Sequence, residues 1–221
     1  LYLDGPMQSW GYMSKFDRRT SLGFPTKSGI AGMICAAMGV GKGDIGQLAN
    51  ISKLDMKVYV LSSTRSEIRR ITDYHTVGGG FDEKRSSYEK QSIVRKASGG
   101  VGGTVQTYRE YLLDAKFGVI LMGDAELIGT IDNALRNPRW GIWLGRKSCV
   151  PTAPVSQGVY ELQEDAMSAI KTAFEKTHGE KCEIRKTVAD ATSFSEGSDS
   201  YMDIPIDFGK REFSIRRVST G

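Results

Sequence analysis

Ile30, Met33, Ile34 and Ala37 recur at the three- and four-residue spacing of one helix face, behind a Thr26 or Ser28 cap and ahead of Gly39. That pattern predicts a helix ending on the glycine. Residues 44–50 predict a further turn of helix, and Met56, Val58 and Val60 alternate at period two, which predicts a strand over 54–64. The short apolar run 116–124 predicts a buried strand, and Leu127, Ile131 and Leu135 predict a helix over 126–137, stopped by Pro138. Residues 1–3 predict a short strand broken by Asp4-Gly5-Pro6, and WGIWLG at 140–145 predicts a strand leading into a basic loop. Strand, helix, strand, long insertion, strand, helix, strand is the split βαβ order of a ferredoxin-like α+β fold.

Beyond Pro151 and Pro154 the composition changes. A strand at 158–162, a helix at 165–177, and strands at 182–189 and 212–218 around a loose FSEGSDS predict a smaller β-rich unit over 156–221, separate from a first domain over 1–155. Between the glycine clusters 78–80 and 99–103 lies FDEKRSSYEKQSIVRKAS, too polar for a core of its own. It is either a disordered loop or an arm hinged on glycine.

Composition narrows the function classes. With 221 residues, 39 % apolar and 25 % charged, the chain reads as an ordinary globular protein. No stretch approaches the roughly 20 apolar residues of a membrane span, and LYLDGPMQSWGYM shows no secretory pattern. The expectation is a cytoplasmic protein without membrane contact. Cys35, Cys149 and Cys182 lack the paired spacing of zinc or redox sites and read as reduced core thiols. A net charge of +4 says little, but its distribution says more. Residues 136–147 hold Arg136, Arg139, Arg146 and Lys147 without an acid, whereas residues 161–203 hold ten acids against five bases.

FPTKSG at 24–29 enters the first helix, and a helix entrance attracts anions through its free N–H groups and its dipole. A nucleotide-hydrolysing loop is excluded, because Thr26 stands where its second glycine belongs and no strand runs into it. A capped structural helix and a grip on backbone phosphate both remain open. GGVGGT at 99–104 begins no apolar-periodic helix and makes no dinucleotide site. His75 is a general-base candidate or a turn residue, and His178 reads as a solvated cation at a helix end. Neither has a partner at metal-ligand spacing, so no metal and no cofactor are expected. The stronger signal is cations interleaved with aromatics: Trp140, Trp143, Arg146 and Lys147, with Arg18, Arg19, Arg95, Lys96 and Arg109 elsewhere. Cations hold phosphates while aromatic faces stack single-stranded bases.

LYLDGPMQSWG at 1–11, RRTSLGFPTKSGIAGMICAAMG at 18–39, DYHTVGG at 73–79, TYREYLLDAKFGVIL at 107–121 and NPRWGIWLGRKSCVPTAPV at 137–155 together closely resemble the CasD family of type I-E CRISPR Cascade subunits, in the RAMP superfamily. The resemblance spans about the first 155 residues and is loose from Ser156 onward. It implies a ferredoxin-like, RRM/RAMP core with a thumb-like arm over 77–106. It also implies a non-catalytic subunit that caps the 5′ handle of the CRISPR RNA between the large subunit and a backbone subunit, touching target DNA only through the complex. Residue by residue, it places Met7, Gln8, Ser9 and Trp10 beside the handle, and Arg18, Arg19, Lys27 and Ser28 against its phosphates. Arg109, Gly145, Arg146 and Lys147 would lie across the sheet; Trp143, Arg95 and Lys96 complete the expected RNA-binding set. Some relatives cut repeat RNA without metal, using tyrosine, lysine and histidine, and Tyr74-His75 keeps a metal-independent endoribonuclease as the alternative. A protein-interaction module with basic patches is the third reading.

Overall fold

The computed structural model describes residues 1–14, 17–62, 68–77, 104–193 and 195–221. Helix α1 (Lys27–Met38) forms where the apolar spacing predicts it. The Thr26 hydroxyl accepts the Gly29 N–H at 3.2 Å, and Gly39 closes the helix in the left-handed region at φ 74°. Helices α2 (Ile45–Ser52) and α3 (Ala125–Arg136) start on Asp44 and Asp124, whose carboxylates accept the N–H groups of Gln47 and Leu127. Helix α4 (Gln163–His178) ends on Gly179. None of the described helices is long and apolar enough to cross a membrane.

The strands are β1 (Tyr2–Asp4), β2 (Met7–Gln8), β3 (Trp10–Gly11), β4 (Arg18–Arg19), β5 (Ser21–Leu22), β6 (Asp55–Ser62), β7 (Arg69–Val77), β8 (Val105–Leu113), β9 (Lys116–Met122), β10 (Glu183–Asp190), β11 (Asp199–Asp207) and β12 (Glu212–Thr220). Six of them form one antiparallel sheet in the order β1-β9-β6-β10-β12-β11. Strand β6 shows why both faces are covered. Met56, Val58 and Val60 point into the core shared with α1, α2 and α3, while Tyr59 and Leu61 point into a second cluster with Ile170 and Phe174 of α4. Gly118 lets α4 approach closely, since a Cβ there would fall 2.9 Å from Ile170 Cγ2. The end of α4 is tied to β1: His178 Nε2 lies 2.9 Å from the Asp4 carboxylate, and Tyr2 donates to that carboxylate at 3.1 Å. His178 is therefore paired, not merely a solvated cation. Burial, reinforced by Asp4, holds the Tyr2 phenol well above its ordinary pKa.

A second sheet runs β2-β8-β4, with β7 on the other edge of β8. Strand β4 joins β8 in parallel; β2 and β7 join it antiparallel. Strands β7 and β8 form a ribbon paired from Arg69↔Leu113 to Val77↔Val105. The residues it leads into, 78–103, lie outside the described residues, as do Arg95, Lys96 and most of the expected arm.

Three sequence expectations meet a different structure. The strand expected at 140–145 does not form: at its start the Trp140 N–H, like that of Arg139 before it, is drawn to the carbonyls at the end of α1, and at its end the Leu144 N–H donates to Cys149 across a turn. The strand expected at 158–162 is irregular, broken at Gly158, whose φ of 115° leaves the extended region, and by the Tyr160 hydroxyl donating back to the Gln157 carbonyl. The boundary expected after residue 155 falls within one continuous sheet, since β10 pairs with β6 over Glu183↔Ser62 to Ala189↔Lys57. The three cysteines are buried and unpaired, and burial pushes the Cys35 thiol up to about 11.

Candidate nucleic-acid interface

The TKSG entrance does hold an anion, and the anion is the protein's own. The Lys27 N–H donates to Asp203 Oδ2 of β11 at 2.8 Å, filling the first-turn position where a phosphate would sit. Lys27 Nζ donates to Asp190 Oδ2 at 2.7 Å. Arg216 of β12 joins the two carboxylates: Nε and Nη2 reach Asp203 at 2.8 Å each, and Nη1 reaches Asp190 at 2.8 Å. Burial works against the Arg216 charge, but Asp203 and Asp190 outweigh it and raise its pKa above the ordinary value. Two cations and two carboxylates balance in this cluster, so Lys27 carries no spare charge for RNA. Ser28 lies beside it, its hydroxyl 3.4 Å from the Thr26 hydroxyl. Two acids of the acidic 161–203 section, Asp190 and Asp203, thus face this helix.

Residues of the GPMQSWG turn are likewise structural. Gln8 is fully buried, and its amide donates to the Leu3 and Ala115 carbonyls at 3.1 and 2.6 Å. Trp10, also fully buried, donates its indole N–H to Gln8 Oε1 at 3.1 Å. Ser9 is buried and donates to the Glu110 carbonyl at 2.9 Å. Met7 is half-buried against the core. The side chains of Gln8, Ser9 and Trp10 are therefore core and inter-strand ties with no surface to offer RNA, and of the four expected beside the handle only Met7 keeps part of its side chain accessible. Gly145 serves the same packing, since at φ 93° a Cβ would fall 1.8 Å from the Ser9 carbonyl oxygen.

Of the other basic residues expected at RNA, the described ones, Arg18, Arg19, Arg109, Arg146 and Lys147, lie about the second sheet. Register places Arg18 opposite Tyr108 and Arg19 opposite Arg109, so the two arginines of β4 lie on opposite faces of the sheet. On one face the Arg18 guanidinium lies 4.8 Å from the Tyr108 ring centroid, and Tyr108 lies 5.3 Å from Tyr74 of β7. On the other face Arg109 donates to the Thr107 hydroxyl at 2.9 Å, and the Arg146 guanidinium stacks 4.7 Å from the Tyr111 centroid. Arg146 is a staple: it donates to the Glu110 carbonyl at 3.3 Å and the Arg19 carbonyl at 2.9 Å, tying the 145–147 loop to the β4–β8 edge. Lys147 sits exposed beside half-buried Trp143, 5.6 Å from its ring centroid. Arg18, Arg19, Arg109 and Lys147 make no ion pair among the described residues, whereas Arg70 is drawn to Glu110 at 3.5 Å. Sequence reading passed over Tyr108 inside TYREY and weighed Tyr74 only as a nuclease residue; what distinguishes both is exposure on one face of a strand pair.

A family model described as CRISPR-associated protein (Cas_Cas5) matches residues 1–219. The chain belongs to the Cas5 family. This Cas5 chain is 27 % identical over 223 residues to the CRISPR system Cascade subunit CasD of Escherichia coli strain K12, covering 97 % of this chain and 93 % of that one. A chain of a solved CRISPR RNA-guided surveillance complex matches it at TM-score 0.74 and 27 % identity, over 100 % of this chain and 88 % of that one. A crystal structure of a Cas protein matches at TM-score 0.63 and 25 % identity, over 100 % and 91 % of the two chains. In this Cas5 fold Arg18, Arg19, Arg109 and Lys147, four of the cations without an ion pair among the described residues, lie about β4, β8 and the 145–147 loop, away from the entrance of α1.

Proposed function

We propose that this Cas5 chain is a subunit of a Cascade-like CRISPR RNA-guided surveillance complex, in which it binds and caps the 5′ handle of the CRISPR RNA. The carrying observation is that Arg18, Arg19, Arg109 and Lys147, from three parts of the chain, flank one sheet edge, Arg18 on one face and Arg19 and Arg109 on the other, with no ion pair to a described carboxylate. Such charge, left unneutralised, holds phosphates. Order β1-β9-β6, with α1 and α3 on one face, supports the ferredoxin-like core; Tyr2 and Asp4 exchange backbone hydrogen bonds with Val155 and Thr152, where a fourth strand would stand. The β7–β8 ribbon would lead into the thumb expected at 77–106, of which 78–103 lie outside the described residues; the proposed partners are the large subunit and a backbone subunit, with target DNA met only through the assembly. The setting is the cytoplasm.

RNA held at several phosphates binds with strong salt dependence. Copurified complex RNA, sequenced and resynthesised, is expected to bind the complex-associated chain more tightly than scrambled RNA. Arg109→Gln and Lys147→Gln are each expected to weaken that binding and to reduce the slope of log K against log salt by about 0.7 for each phosphate no longer held. Unchanged slopes in both variants would remove this edge from the interface.

The role is non-catalytic. Tyr74 and His75, the pair that suggested an endoribonuclease, are successive residues of β7, and successive strand side chains leave on opposite faces of the sheet. They do not converge on one phosphate. Repeat RNA incubated with the protein in chelator is expected to stay intact, by denaturing gel; clean cleavage lost in His75→Ala would establish the nuclease instead.

A further inference from the structure

Tyr74 is the most exposed aromatic ring among the described residues, and neither the core nor the phosphate-binding edge accounts for it. It lies opposite Tyr108 in the β7–β8 ribbon, and Tyr108 lies opposite Arg18 in the β8–β4 pair, so the three form a row across three strands on one face. Tyr74 is 53 % exposed and Tyr108 36 %, on a strand pair where charged or small polar side chains would satisfy solvent. The Arg18 guanidinium occupies the surroundings of Tyr108 on one side, and Tyr74 does so on the other. The two rings stand 5.3 Å apart and tilted by 46°, which leaves no slot for a base between them, since that takes two stacking gaps of about 3.5 Å each. Of the two rings in the row, that of Tyr74 is the more exposed.

We propose that Tyr74 is the stacking surface for one unpaired base of the bound RNA, with Tyr108 buttressing it and Arg18 taking an adjoining phosphate; this rests on the RNA-binding reading above. Single-stranded bases stack on exposed aromatic rings and are held beside them by cations. The one carboxylate of β8 on this face, Glu110, is already engaged: the Ser21 N–H donates to it at 3.3 Å and Arg70 stands 3.5 Å away. It does not compete for Arg18. The comparable pairs are poorer platforms, because Tyr111 is buried under Arg146 and Trp143 is half-buried under Lys147. Tyr74 needs only its ring for this role, so its hydroxyl is dispensable.

The test uses complexes assembled from co-expressed subunits and the resynthesised copurified RNA, carrying the fluorescent base 2-aminopurine or an abasic site at each handle position in turn. At one position 2-aminopurine is expected to be quenched on binding the wild-type chain and Tyr74→Phe, but not Tyr74→Leu. Tyr74→Leu is expected to weaken binding about 5- to 150-fold. An abasic site there should cost the wild type a comparable factor and cost Tyr74→Leu nothing more. If the wild type prefers handle RNA over scrambled RNA but Tyr74→Leu binds equally well and no position is quenched, the stacking role falls and the handle reading stands. Absence of any preference in the wild type defeats both. Loss of sibling subunits from Tyr74→Leu in RNA-free assemblies, with RNA affinity unchanged, would make this face a protein dock and overturn the proposal.

Discussion

Asp203→Ala is expected to destabilise the protein by about 3–5 kcal/mol, the usual cost of removing one member of a buried ion pair. In a domain of this size that corresponds to a fall in melting temperature on the order of 10 °C. The Asp203 side chain is 1 % exposed and that of Arg216 2 %, so water cannot replace the lost partner. Two further groups suffer. The Lys27 N–H at the start of α1 loses its acceptor, and Arg216 is left with Asp190 alone, which Lys27 already shares. Circular dichroism on heating would measure the loss, with Arg185→Ala as the comparison, because that residue's pair with Glu183 is open to solvent. Equal shifts in the two variants would mean that the cluster does not hold the C-terminal hairpin to α1.

Trp10→Ala is expected to cost a similar amount, about 3–5 kcal/mol, as for other large buried aromatics cut to alanine. The indole is fully buried, and Gly29 of α1 packs so closely that a Cβ there would fall 2.8 Å from Trp10 Cε3. Its loss also deprives Gln8 Oε1 of a donor, at a residue whose amide ties the Leu3 and Ala115 carbonyls together. Thermal unfolding checks the magnitude. RNA affinity, measured per folded molecule, should remain near that of the wild type, because no part of the indole reaches the surface. A selective loss of RNA binding with unchanged melting would restore Trp10 to the interface.

A helix N-terminus is a general anion site, and here the chain fills it with a carboxylate borne on β11, the far edge strand of the main sheet. Lys27, Asp190, Asp203 and Arg216 hold the fold, while Arg18, Arg19, Arg109 and Lys147, the residues proposed to meet RNA, make no ion pair among the described residues.

Helices α1, α2, α3 and α4, together with β6, β9, β10 and β12, were legible in the chain because caps, glycine stops and apolar periods act between residues a few positions apart. The family motifs were legible for the same reason. Strands β7, β8 and β11 were not, since their polar alternation acquires meaning only through partner strands, and a two-residue strand such as β4 has no period to detect. The decisive difference lies among the basic residues. Lys27 and Arg18 both stand near aromatics and hydroxyls in sequence, yet Lys27 meets Asp190 across 163 positions, and Arg146 is claimed by the Arg19 carbonyl across 127. Sequence alone determined which side chains carry positive charge; only the tertiary structure decided which charges are left over, because ion pairing depends on distance in space, and folding brings the competing carboxylates and carbonyls from the other end of the chain.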